Sequence, residues 1–154
     1  MRSAGIDLSA SATGLVMLDG TYASLPEVVL ETEISFPKMT GVARTRAIVG
    51  EVMEALHEHK PDKIVVEGYS LNLKNASSVI PLVEIGGLLR FCLQLDDLRW
   101  YDPRAPELKK FVVGSGNAAK DQMMMWVLKR WQHTSKTNNT ADGYGLGAMG
   151  LALG

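Results

Sequence analysis

The hydrophobic period of this chain first changes near Pro37, and that change limits the folds open to it. Before it, Gly5-Ile6-Asp7-Leu8 and Gly14-Leu15-Val16-Met17-Leu18 are apolar runs around a polar turn, Ser9 to Thr13. Asp19-Gly20 marks a second turn, and Glu27 to Phe36 is rich in β-branched residues. These features predict three strands in an antiparallel meander. After Pro37, Ile48, Val52 and Leu56 recur on one helical face, with Val49 and Met53 beside them, until Pro61-Asp62. Ile64-Val65-Val66 is a short apolar run suited to a buried parallel strand, and it ends at Glu67. A helical pattern follows from Ala76 to Leu95, then a fifth strand at Trp100-Tyr101 that exits through Asp102-Pro103. Pro106 suits the first turn of a short helix through Phe111. Ala118 to Trp131 and the segment from Asn139 onward are also helical in pattern. The predicted order is βββαβαβαα, an α/β fold with a mixed five-stranded sheet flanked by helices.

A chain of 154 residues is the size of one domain, here residues 1–154. Hydrophobic residues at 46% and charged residues at 21% exclude a disordered chain. No apolar run reaches the roughly 18 residues of a membrane span, so no membrane partner is expected. The N-terminus lacks the apolar stretch of a signal peptide, and Cys92 has no second cysteine to pair with. Both point to a reducing, cytoplasmic setting. Net charge is −1, but it is unevenly spread: residues 1–98 carry 8 basic and 13 acidic side chains, residues 99–154 carry 8 and 4. Such asymmetry suits an acidic metal site beside a basic DNA-facing surface, and equally an ordinary solvated surface.

Three carboxylates stand where chemistry could be done. Asp7 ends an apolar strand start, Glu67 ends the buried run at residues 64–66, and Asp142 sits near the start of a small-residue helix. A carboxylate at the end of a buried strand is poorly solvated and asks for a cation. Oxygen ligands of this kind suit Mg²⁺, and a pair of such ions serves in-line attack on a phosphodiester. Each residue also has a structural use: Asp7 as a turn former, Glu67 in a strand-end salt bridge, Asp142 at a helix dipole. The glycines at 143, 145, 147 and 150 make the last helix intrinsically weak, so it must pack tightly on the sheet.

The order of these segments resembles the RuvC-type Holliday junction resolvases of the RNase H-like superfamily, in particular phage or prophage versions. Gly5-Ile6-Asp7 with Ser9 and Thr13-Gly14 is similar to their opening strand pair. Ile64-Val65-Val66-Glu67 resembles their second acidic motif, Lys74-Asn75-Ala76-Ser77-Ser78 the start of their interface helix, and Thr140-Ala141-Asp142-Gly143 their closing motif. The most detailed likeness runs from Leu108 to Gln122. The resemblance implies a Mg²⁺-dependent nuclease with two ions, Mn²⁺ substituting, acting as a homodimer on branched DNA, above all four-way junctions, with no nucleotide cofactor. It implies catalytic roles for Asp7, Glu67, Asp142 and Lys120, metal binding by Asp7, Glu67, Asn139 and Asp142, and DNA binding by Lys109, Lys120, Tyr69 and Lys74.

Two departures bear on this. About two extra residues separate Glu67 from Lys74, which leaves Tyr69 equally a core or strand-edge tyrosine. The family's fourth carboxylate falls at Asn139, with Asn138 next to it. An amide oxygen ligates hard cations but brings no charge, so the chain is either a three-carboxylate nuclease or a disabled junction binder. Cutting of Y-forks and flaps is a further alternative. An actin-like ATPase or sugar kinase opens with a similar strand pair but needs two such domains. Met123-Met124-Met125 with Trp126 and Trp131 suits helix packing, His133 a surface position, and Gly86-Gly87 the close approach of another helix or strand.

Overall fold

The computed structural model describes residues 1–69 and 76–154, except the side chains of Ala76 and Lys120. Strands β1 (Arg2–Asp7), β2 (Thr13–Asp19) and β3 (Glu27–Ile34) form the expected meander. Strand β4 (Lys63–Val66) lies parallel to β1, giving the order β3-β2-β1-β4. Helices α1 (Gly41–His59), α2 (Ala76–Leu95), α3 (Ala105–Val113), α4 (Lys120–Trp131) and α5 (Asn138–Ala152) complete the chain.

The predicted fifth strand shrinks to one bridge, between Val65 and Tyr101. The Tyr101 N–H donates to the Ile64 carbonyl at 3.0 Å, and the Val66 N–H donates to the Tyr101 carbonyl at 2.9 Å. Gly68 then donates to the Pro103 carbonyl at 2.8 Å. The reciprocal bond is impossible because Pro103 has no N–H, so the ladder stops where a strand would start. Three helices follow this bridge, matching the three helical segments read after Pro103, so the order βββαβαβαα is one helix short.

Strand periodicity divides the core into two layers. Ala4, Ile6, Leu15, Met17, Ile64 and Val66 face α1 and α2, where Ile48, Val52, Leu56, Ile85 and Leu89 meet them. Val16, Leu18 and Val65 face the other way, onto α3, α4 and α5. Asp7 and Gly14 share this second face with them, by the alternation of β1 and β2.

The glycines of α5 let its backbone lie directly on the sheet. A Cβ at Gly143 or Gly147 would meet Val16 or Leu18 at 3.1 or 3.2 Å, and one at Gly150 would overlap Ser3. A weak helix former is tolerated because tertiary packing, not propensity, holds this helix.

Helix α2 departs from the sequence expectation. Its segment Ser77–Leu95 is long and apolar enough by composition to cross a membrane. It is nevertheless a half-core helix: Ile85, Leu89 and Leu93 are buried against the sheet and α1, and Arg90 pairs with Asp102 at 2.6 Å. Its outward stripe, Ile80, Val83, Phe91 and Leu95, is exposed.

Tyr144 of α5 is the largest fully buried side chain. Its ring packs on Trp131 and His133, at 5.5 and 4.8 Å between centroids. Its hydroxyl finds no hydrogen-bond partner among the described residues. Burial, with the Glu31 carboxylate nearby, pushes its pKa up to about 12. A tyrosine with a raised folded pKa supports the fold fully below its unfolded value and loses that support as pH rises through the folded one. Because its buried hydroxyl has no partner among the described residues, Tyr144→Phe should raise stability by about 1 kcal/mol at neutral pH. It should also flatten the loss of stability between about pH 10 and about 12. Denaturant melts at pH 7 and pH 11 measure both effects. A less stable phenylalanine variant would mean that the hydroxyl is satisfied.

Candidate active site

The parallel pairing of β1 and β4 sets the first two acidic residues side by side. Ile6 pairs with Val66, and the Glu67 N–H donates to the Ile6 carbonyl at 3.0 Å, so Asp7 and Glu67 end adjacent strands. Asp142 arrives from above on the first turns of α5. Thr137 caps that helix, its hydroxyl accepting from the Thr140 N–H at 3.1 Å. One carboxylate oxygen from each of Asp7, Glu67 and Asp142 lies within 4.8 Å of the other two, and all three side chains are half-buried.

Three negative charges at that spacing repel by about 3–4 kcal/mol per pair at an effective dielectric near 20. The arrangement is stable with positive charge among the oxygens. The donors are hard oxygens drawn from three distant points of the chain. No histidine or cysteine joins the cluster among the described residues, so it fits a hard divalent cation rather than zinc. The cluster opens into a cleft of about 580 Å³ that Ser9, Ser11, Lys109, Asn138 and Asn139 also line. Lys109, on α3, lines the same cleft as the three carboxylates.

A buried network steers α5 into register. The Glu31 carboxylate accepts from the Lys136 N–H at 2.7 Å and contacts His133 Nε2 at 2.9 Å. Burial pushes the Glu31 pKa up, but the Lys136 N–H, the Thr140 hydroxyl and His133 outweigh it and hold it below the usual range. His133 is therefore a half-buried partner of β3, not the surface residue that the polar stretch after it suggests.

Tyr69 lies at the rim of the cluster. Its ring packs over Gly86, where a Cβ would approach to 2.6 Å. The Arg90 guanidinium stacks on it, 4.6 Å from the centroid. Gly86 thus admits a tyrosine ring, not a helix or strand, and a Cβ at Gly87 would meet nothing within 4 Å among the described residues. Arg90 also donates to the Glu67 and Gly86 carbonyls, at 3.4 and 3.1 Å. It fixes the chain at the end of β4, a role invisible to helical periodicity, which shows only that it lies on α2. Lys120 is the first residue of α4, but its side chain lies outside the described residues, as does the whole of Lys74.

Comparison with known proteins gives the chain's family and fold. The family model for "Crossover junction endodeoxyribonuclease RuvC" matches residues 4–149. A protein of that name from Bordetella avium is 29% identical over 153 residues, spanning 99% of this chain and 82% of the relative. Its counterpart from Bordetella parapertussis is 32% identical over 127 residues, spanning 82% of this chain and 69% of the relative. Among solved structures, Thermus thermophilus RuvC superposes with a TM-score of 0.81 at 20% identity, covering 96% of this chain and 92% of that one. The same protein in complex with Holliday junction substrate gives 0.77 at 20% identity, over 96% and 91%. Fowlpox virus resolvase with its substrate junction gives 0.63 at 12%, over 98% and 99%. With a family model spanning nearly its full length and the acidic residues of its opening, middle and closing motifs converged on one cleft, the chain belongs to the RuvC family of crossover junction endodeoxyribonucleases.

Proposed function

We propose that this chain cuts four-way DNA junctions by hydrolysing a phosphodiester in each of two strands. The observation that carries this reading is the convergence of Asp7, Glu67 and Asp142 within 4.8 Å, in a cleft that also holds Lys109. Mg²⁺ is the ion that suits the oxygen donors, and Mn²⁺ would substitute. Asp7 with Asp142 would hold one ion and Asp7 with Glu67 the second, Asn139 adding an amide oxygen. When bound, the two ions activate water and stabilise the leaving oxygen.

The chain's own residues do the rest. The rigid ends of β1 and β4 keep Asp7 and Glu67 from following the substrate, so the site is preorganised. Lys109, which lines the cleft, binds a phosphate, and Lys120 offsets charge developing on the phosphorus oxygens. Tyr69, held by Arg90, forms a flat wall where unpaired bases can stack. The products carry 5′-phosphate and 3′-hydroxyl ends. A site that works on intracellular DNA belongs in the cytoplasm.

Two symmetric cuts need two sites, which a twofold dimer supplies. The exposed stripe Ile80, Val83, Phe91 and Leu95 on α2 is the apolar surface that suits such an interface. Val83→Glu should convert a dimer to a monomer at micromolar concentration in sedimentation experiments, with single nicks replacing paired cuts. A parent that sediments as a monomer yet cuts both strands symmetrically would place the interface elsewhere.

The reading as a whole is tested with labelled four-way junction, Y-fork and linear duplex side by side, in Mg²⁺ and in Mn²⁺. Paired, ligatable nicks in the four-way junction are expected, with duplex untouched. Equal cutting of the Y-fork would broaden the substrate to branched DNA in general, and junction binding without cutting in either metal would make the chain a binding module.

A further inference from the structure

The register of the sheet brings a carboxylate to the site that no motif marks. Asp7 of β1 pairs with Gly14 of β2, and Gly14 pairs with Glu33 of β3. Residues in one row across a sheet project from the same face, so Glu33 shares the α5 side of the sheet with Asp7. The residue between them has no side chain, and the backbone of α5 occupies the gap: a Cβ on Gly14 would lie 2.2 Å from the Asn139 carbonyl oxygen. Asn139 thus sits over the middle of the row, between Glu33 and the metal-binding cluster. Its side-chain Nδ2 donates to Glu33 Oε1 at 3.4 Å, and the same residue lines the cleft that holds Asp7, Glu67 and Asp142.

We propose that Glu33 is a positioning residue of the metal centre, acting through Asn139. An amide can present either its nitrogen or its oxygen to a neighbour. Facing a carboxylate, only the nitrogen is attractive. Glu33 therefore fixes the amide with Nδ2 outward and leaves Oδ1 as the end available to a cation in the cleft. It also supplies charge. Three carboxylates against two divalent ions leave one positive charge uncompensated, and Glu33 brings the fourth negative charge one amide away. On this account Asn139 is not a lesion in a four-carboxylate site but half of a Glu–Asn pair that takes the place of one carboxylate. Groups that orient metal ligands in this way commonly contribute about 10- to 100-fold to metal affinity.

The inference rests on the reading of the cleft as a two-ion centre, and the test separates the two. Mn²⁺ binding to the full chain is followed by electron paramagnetic resonance and by calorimetry, without DNA. The parent should bind two ions. Glu33→Gln, nearly isosteric and at an exposed position, should keep its melting temperature and weaken the second ion by about 10-fold or more while sparing the first. Asn139→Asp alone should gain little, because it sets two carboxylates against each other. The exchange Glu33→Gln with Asn139→Asp should recover the parental affinity, since the amide and the acid have traded places. Parental binding of both ions by Glu33→Gln would overturn the inference and leave the two-ion reading intact. So would an equal gain from Asn139→Asp with and without Glu33. A parent that binds no Mn²⁺ would overturn both.

Discussion

Glu67→Gln should abolish junction cleavage, by a factor on the order of 10³ or more, while junction binding should stay at or above the parental level. The factor corresponds to about 4 kcal/mol of barrier, since each 1.36 kcal/mol is tenfold. The substitution changes one oxygen to nitrogen in a half-buried side chain at the end of β4. It removes a charge from the cluster of Asp7, Glu67 and Asp142, and with it one of the three carboxylates proposed to hold the ions. The bonds that place residue 67 survive because they are main-chain bonds: its N–H donates to Ile6, and its carbonyl accepts from Arg90. The fold should be unchanged by circular dichroism and thermal melting. Binding should hold or improve because the lost charge faced phosphate. The experiment is a gel-shift titration beside a single-turnover cleavage assay. A variant that unfolds would make Glu67 a structural residue; one that cleaves within tenfold of the parent would remove it from the chemistry.

The second large effect is on the fold. At Gly5 an added Cβ would lie 2.0 Å from the Gly143 carbonyl oxygen and 2.3 Å from the Gly147 nitrogen. Both neighbours are backbone, so no rotamer change relieves the clash. Gly5→Ala must push α5 off β1. That movement lifts Asp142, one residue before Gly143, away from Asp7. A loss of about 3 kcal/mol or more is expected, at the upper end for overpacking, and a fall in melting temperature of roughly 6–12 °C for a chain of this size. Whatever fraction folds should bind Mn²⁺ more weakly, because the helix that carries Asp142 has moved. Differential scanning calorimetry with and without Mn²⁺ measures both. A melting temperature within about 2 °C of the parent would show that α5 does not lie as closely on the sheet as these contacts require.

Those two residues also show what a sequence can reveal. The alternation around Gly5-Ile6-Asp7 and the run at residues 64–66 are local patterns, and each sets a carboxylate at a strand end. The four glycines of α5 carried information because they contradict helix propensity, and only close packing resolves the contradiction. The fifth strand failed for a reason also present in the sequence: Pro103 ends the ladder after a single bridge. Other features depend on tertiary register. Glu33 comes into line with Asp7 across two strand pairings, past a bulge at Val29 of β3, opposite Met17 and Leu18 of β2. Nothing local to β3 marks it. Arg90 sits on a helix whose pattern explains it as surface, and only the chain path after β4 brings the Glu67 carbonyl and Tyr69 to its guanidinium. His133 is joined to Glu31 by a contact spanning 102 positions.

The central claim is that Asp7, Glu67 and Asp142 form the metal centre of a junction nuclease. It is tested most directly by crystals of the chain with four-way junction DNA and Mn²⁺, grown with the Lys120→Ala variant to slow turnover. Data collected at the manganese edge locate the ions independently of the carboxylates. The account predicts anomalous peaks about 2.0–2.2 Å from oxygens of Asp7 and from at least one of Glu67 and Asp142, with a DNA phosphate oxygen completing the shell. Junction DNA seated over the cleft with no manganese among these three carboxylates, or manganese bound only elsewhere on the chain, would contradict it.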